Sequence, residues 1–125
     1  MATLTGIDFV GIQAEDLDAA RDFYHGKLGL PVMSGPPGAV VFDSKPVPFA
    51  VRTPVMDLSS ASDHLGAGIA LWFACDDADA LHAELVKDGI KIVFPPKDGP
   101  FGRYFAFCDP FGYTITAHTA VTPAN

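Results

Sequence analysis

Two hydrophobic periods alternate along this chain, and they do so twice in the same order. Residues 7–13 (IDFVGIQ) alternate as a strand does. Asp16 then stands as an N-cap, and Leu17, Ala20, Phe23, Tyr24 and Leu28 follow at helical spacing until Gly29 ends the helix. Short strands are expected at 30–33, 39–43 and 47–53, the first two separated by Ser34-Gly35-Pro36-Pro37-Gly38 and the third with Pro46 and Pro48 marking its start or an edge. Residues 54–67 carry no period and read as a linker. The pattern then restarts. A strand at 68–75 precedes a helix capped by Asp77, with Ala80, Leu81 and Leu85 at helical spacing and Gly89 at its end. A strand at 90–94, a Pro-rich loop at 95–100 and a closing hairpin complete the chain.

Strand, helix, then three strands is therefore written twice. Asp16 and Asp18 recur as Asp77 and Asp79, and Leu28-Gly29-Leu30 recurs as Asp88-Gly89-Ile90. Self-similarity at a nearly constant offset marks a duplicated unit. The expectation is one α+β domain over residues 1–125, built of module one (about 5–53), the linker (54–67) and module two (about 68–118). Each module has one helix to cover one face of its sheet, which leaves the other face for a partner or a cleft.

The closing hairpin, 103–108 (RYFAFC) and 113–118 (YTITAH), is joined by Asp109-Pro110-Phe111-Gly112. Pro110 presets an early turn position, the Asp109 carboxylate can accept from backbone amides beyond it, and Gly112 tolerates a positive φ. Pairing Cys108 with Tyr113 sets Phe107 opposite Thr114 and Phe105 opposite Thr116. One face then carries Phe105, Phe107, Thr114, Thr116 and His118, and the other carries Ala106, Cys108, Ile115 and Ala117.

Composition narrows the function classes. Of 125 residues, 49% are hydrophobic and 18% charged, as in a folded protein. The formal charge of −7 disfavours nucleic acid and anionic membranes and permits a cationic ligand. No basic region precedes an apolar run at the N-terminus, and no apolar stretch is long enough to span a bilayer, so a cytoplasmic protein is expected. Cys75 and Cys108 both fall in predicted strands and read as buried free thiols of a reducing compartment.

The motifs Asp-Leu-x-x-Ala-x-x-Phe-Tyr (16–24), Leu-Gly-Leu (28–30) and Gly-Arg-x-Phe-x-Phe-x-Asp-Pro-x-Gly-Tyr (102–113) resemble the vicinal-oxygen-chelate superfamily, the group of glyoxalases, extradiol dioxygenases, fosfomycin-resistance enzymes and bleomycin-resistance proteins. The resemblance implies two βαβββ modules whose curled mixed sheets surround a cleft, and a homodimer. It also implies where the enzymes' His and Glu metal ligands would stand. Those places are held by Phe9, Ala70 and Thr116, and the first two cannot ligate a metal. No metal site, no cofactor and no catalytic residue is therefore assigned.

With Phe9 and Ala70 on the cleft face, period-two alternation adds Gly11, Gln13 and Trp72, and the hairpin adds Phe105 and Phe107. The ligand-binding candidates are Phe9, Gln13, Trp72, Phe105, Phe107, Thr114, Thr116, His118 and Arg103. Any one of the aromatics alone reads rather as an ordinary core residue; their joint place on one face is what favours a site. The acids Asp57, Asp63 and Asp98, and His64 beside Asp63, read as solvated loop groups, and His25 and His82 as exposed helix residues. The expected function is metal-free sequestration of an aromatic natural product or antibiotic, in the manner of the bleomycin-resistance proteins. The alternative is a glyoxalase- or dioxygenase-like lyase or tailoring enzyme using the same cleft.

Overall fold

The computed structural model describes residues 7–60, 65–66 and 68–119. The chain divides into two compact units, Met1–Ser60 and Ala61–Asn125. Both follow the order expected from the repeat. In the first unit, β1 (Val10–Gln13) leads to α1 (Leu17–Arg21), which continues as a π-helical turn over Asp22–Lys27. Then come β2 (Val32–Met33), β3 (Ala39–Phe42) and β4 (Phe49–Arg52). In the second unit, β5 (Leu71–Cys75) leads to α2 (Ala78–Lys87), followed by β6 (Ile92–Lys97), β7 (Tyr104–Cys108) and β8 (Thr114–Thr119). Each unit forms a four-stranded mixed sheet, ordered β1-β4-β3-β2 and β5-β8-β7-β6. The first and last strands of each run parallel and the other neighbours antiparallel.

The duplicated aspartates do the same physical work twice. Asp16 Oδ1 accepts from the Ala19 amide at 3.0 Å, and Asp77 Oδ1 accepts from the Ala80 amide at 3.1 Å. Each satisfies one of the amides that a helix start leaves without a partner. At the α2 start the Ala78 amide also donates to Thr119 Oγ1 at 2.8 Å, which ties the helix to the end of β8. Gly29 and Gly89 end their helices at φ 79° and 75°, a conformation that glycine adopts without steric cost.

The core of the first unit is aromatic. Tyr24, from the π-helical turn, meets Phe42 at 5.5 Å and Phe49 at 5.2 Å between ring centroids, and those two stack at 5.0 Å. In the second unit, Ala78 and Leu85 of α2 are buried, with Leu81 and His82 half-buried between them in the sequence, so the inner stripe runs 78, 81, 82, 85. Ala80, expected inside, is exposed, and His82, expected outside, sets its ring edge-on to Phe105 at 5.3 Å. α2 packs on β6, β7 and β8.

Strand limits differ from expectation in one place that matters. β6 runs on to Lys97, through Pro95 and Pro96, and not only to residue 94. It is an edge strand with two register shifts against β7, one on each side of Phe94, and edges and bulges are where a sheet accepts proline. Within 54–60, Leu58–Ser60 form a single 3-10 turn, begun by Asp57, which accepts from the Ser59 amide at 3.0 Å and its hydroxyl at 2.6 Å. Those two hydrogen bonds hold the Asp57 carboxyl below the usual carboxylate range. Asp63 and His64 lie outside the described residues.

Candidate functional site

The register of the closing hairpin decides which side chains reach the sheet face opposite α2. Cys108 pairs with Thr114, Phe107 with Ile115, Ala106 with Thr116, Phe105 with Ala117 and Tyr104 with His118. This is one residue away from the expected pairing, and the one step exchanges the two faces. Phe105 and Phe107, expected in the cleft, are instead 0% and 1% exposed, with Ile115 and Ala117 on the helix side. The cause is the turn. Pro110, Phe111 and Gly112 form a three-residue loop closed by the Asp109 amide donating to Tyr113 O at 2.9 Å, with Gly112 at φ 100°. Tyr113 is spent closing the loop and is not the first residue of β8. Asp109 Oδ1 accepts from the amides of Phe111 and Tyr113, each at 2.9 Å, which explains a carboxylate only 5% exposed.

On the opposite face the sheet presents two cross-strand rows. Lys97, Tyr104 and His118 form one, across β6, β7 and β8. Phe94, Ala106, Thr116 and Trp72 form the other, across all four strands. The rings join the rows. Trp72, 44% exposed, stacks on Tyr104 with centroids 5.4 Å apart and planes 24° from parallel. His118 and Phe101 meet the indole edge-on, at 5.5 and 6.0 Å. Tyr104 meets Phe94 at 5.4 Å, and the Lys97 ammonium lies 4.3 Å from the Phe94 centroid and 5.4 Å from that of Tyr104. The Tyr104 ring also lies against Gly99, where an added Cβ would come within 2.5 Å of Cε1 and the ring would have to shift.

His118 Nδ1 is 2.9 Å from Phe101 O. A carbonyl oxygen only accepts, so Nδ1 carries the proton, and in the neutral ring Nε2 is an acceptor. The same contact holds Phe101, 63% exposed, beside the indole. The result is an aromatic surface whose walls are rings and whose floor holds the small side chains Ala106 and Thr116. Such a surface can stack a flat molecule and offer a few polar groups at its margin.

The expected site residues thus separate. Trp72, Thr114, Thr116 and His118 share this face; Phe105 and Phe107 belong to the core. Arg103 is on the helix side as well. Its guanidinium holds Asp79, with Nε 3.1 Å from Oδ2, and reaches Asp98 at 3.4 Å. The hydrogen bond to Asp79 is the main reason its pKa lies above the ordinary arginine value. Gln13 and Phe9 lie in the first unit. Gln13 Oε1 accepts from the Val55 amide at 2.9 Å, securing the chain after β4, and Phe9 is 49% exposed just before β1. Phe94, Lys97, Phe101 and Tyr104 are not among the expected ligand-binding residues. The three-residue loop with its left-handed glycine is the signal that would have found Tyr104.

Among the described residues, no group of three or more His, Cys, Asp or Glu side chains could hold a metal ion. The ligand places implied by the resemblance are held by an exposed phenylalanine, an exposed alanine and a threonine ringed by Ala106 and Trp72, so the residues present do not fit a metal centre. No helix among the described residues is long and apolar enough to cross a membrane.

The family model of the Glyoxalase/Bleomycin resistance protein/Dioxygenase superfamily matches residues 6–116. No curated protein matches the chain. Among solved structures, a glyoxalase/bleomycin resistance protein from Streptomyces sp. CB03234 is similar at 24% identity and TM-score 0.71, over 91% of this chain and 100% of that one. TnmS3, an antibiotic binding protein from Streptomyces sp. CB03234, is similar at 22% identity and TM-score 0.72, over 97% and 100%. A protein of unknown function from Agrobacterium tumefaciens is similar at 20% identity and TM-score 0.73, over 97% and 98%. At these identities the likeness speaks for the fold.

Proposed function

The chain belongs to the glyoxalase/bleomycin resistance protein/dioxygenase superfamily, and from that premise we propose that it is a binding protein that sequesters a flat aromatic natural product or antibiotic without transforming it. The observation that carries this reading is Trp72. A large ring 44% exposed on a sheet face, stacked on Tyr104 and flanked by His118 and Phe101, is a surface prepared for another ring. The likeness in fold to an antibiotic binding protein supports the same class of ligand. Thr114, Thr116 and His118 supply the few polar contacts that orient a guest.

Two further parts of the reading are a homodimer and a cytoplasmic location. Each sheet ends in edge strands, which favour pairing with a second copy. The cysteines Cys75 and Cys108 are free, as thiols of a reducing compartment are. Sedimentation at micromolar concentration should give twice the chain mass.

The test is titration with a panel of aromatic antibiotics, read by the fluorescence of Trp72, the only tryptophan. Saturable quenching is expected, with the ligand recovered chemically unchanged after prolonged incubation. A panel without any saturable binding overturns the reading, and recovery of a converted product overturns its non-catalytic part.

A further inference from the structure

The charge of the protein is not the charge of this face. The whole chain carries −7, yet β5, β6, β7 and β8 contain no aspartate or glutamate. Among the described residues the acids of the second unit are elsewhere. Asp76, Asp77 and Asp79 lie at the start of α2, Glu84 on it, Asp88 at its C-terminal end and Asp109 inside its turn, while Asp98, next to Lys97 in the chain, meets Arg103. Among the described residues, Lys97 makes no ion pair; its ammonium rests over the Phe94 and Tyr104 rings. It is exposed, and it heads the row that runs through Tyr104 to His118. A ring laid on Trp72 and Tyr104 would therefore have a fixed cation at its margin with no carboxylate on the strands to neutralise it.

We propose that this face selects planar aromatic molecules bearing an acidic oxygen, a phenolate or an aromatic carboxylate, with Lys97 as the counter-ion. The proposal rests on the reading that the face binds flat aromatics, and it adds the sign of the ligand's charge. It runs against what net charge alone permits, which is a cation. The reason is range: in physiological salt a charge acts within about 8 Å, so the lysine at the site outweighs the more distant acids, and the near one, Asp98, is engaged by Arg103 at 3.4 Å. An anion that joins the ammonium there gains a charge-assisted hydrogen bond.

Three probes of one shape separate the possibilities: 2-naphthoate, the neutral 2-naphthamide and the cationic 2-naphthylmethylammonium, each titrated calorimetrically into the full chain at physiological ionic strength. Naphthoate should bind about threefold to fivefold more tightly than the amide, as one exposed ion pair provides, and the ammonium more weakly than either. Lys97→Gln, a change at an exposed position, should bring the ratio of naphthoate to amide affinity to about one. Equal affinities for the three probes, a preference for the ammonium, or a preference for naphthoate that survives in Lys97→Gln each overturn the proposal while the aromatic face stands. Failure of all three probes to bind overturns both.

Discussion

Replacing Trp72 and replacing Phe105 should have opposite consequences, although both are large aromatics on strands of one sheet. Trp72 leaves 44% of its surface exposed. Of the roughly 250 Å² that a tryptophan can bury, about 110 Å² is then available to a ligand. A flat guest covering one side takes about half of it, which contributes roughly 1.4 kcal/mol at ~25 cal/mol per Å². Ring–ring attraction adds about 0.5–1.5 kcal/mol. Trp72→Ala should therefore cost an aromatic ligand about 2 kcal/mol, or roughly thirtyfold in Kd. Phe105 is 0% exposed and lies between the sheet and His82. Phe105→Ala should cost about 3–5 kcal/mol of stability, lowering Tm by on the order of 10–20 °C for a domain of this size. The milder Phe105→Leu should keep both fold and ligand affinity. Differential scanning calorimetry gives Tm, and titration below the transition gives Kd. If Trp72→Ala lowers Tm as far as Phe105→Ala does while a bound aromatic keeps its affinity, the face assignment of β5 is wrong, and the site built on it goes with it.

Asp109→Ala leaves the Phe111 and Tyr113 amides without their acceptor and should cost about 1–3 kcal/mol in urea unfolding. Asp77→Ala removes the α2 cap and should cost about 1 kcal/mol, with Asp77→Ser recovering most of it. Arg103→Ala should leave ligand affinity unchanged, because the guanidinium is engaged with Asp79 and Asp98 on the helix side; a tenfold loss would return Arg103 to the site. Burial, and next the charge of Asp76, push the Cys75 thiol above its ordinary pKa, so in a Cys108→Ser background iodoacetamide at pH 8 should alkylate Cys75 more slowly in the folded chain than in urea; equal rates would refute it.

The sequence by itself determined the order of elements, the duplication and the local chemistry that starts and stops each helix. These rest on interactions within a few residues. Asp16 and Asp77 cap the amides three positions on, Gly29 and Gly89 take the φ that ends a helix, and Asp109 binds its own turn. Trp72 lies on the opposite face of β5 from Leu71 and Phe73, as alternation along one strand requires without any partner. The face occupied by Phe105 and Phe107 was a different kind of question. It depends on how many residues the 109–113 turn consumes, and a slip of one exchanges every side chain on β7 and β8 between core and open face. Lys97 depended on tertiary structure even more. Two prolines argued for a loop, yet the bulged edge of the sheet carries β6 past them and sets the ammonium over Phe94 and Tyr104. Period and capping act along the chain and can be read there; register, bulges and the grouping of rings are settled between strands that the chain order holds apart, and only their pairing brings Trp72, Tyr104, His118 and Lys97 to one face.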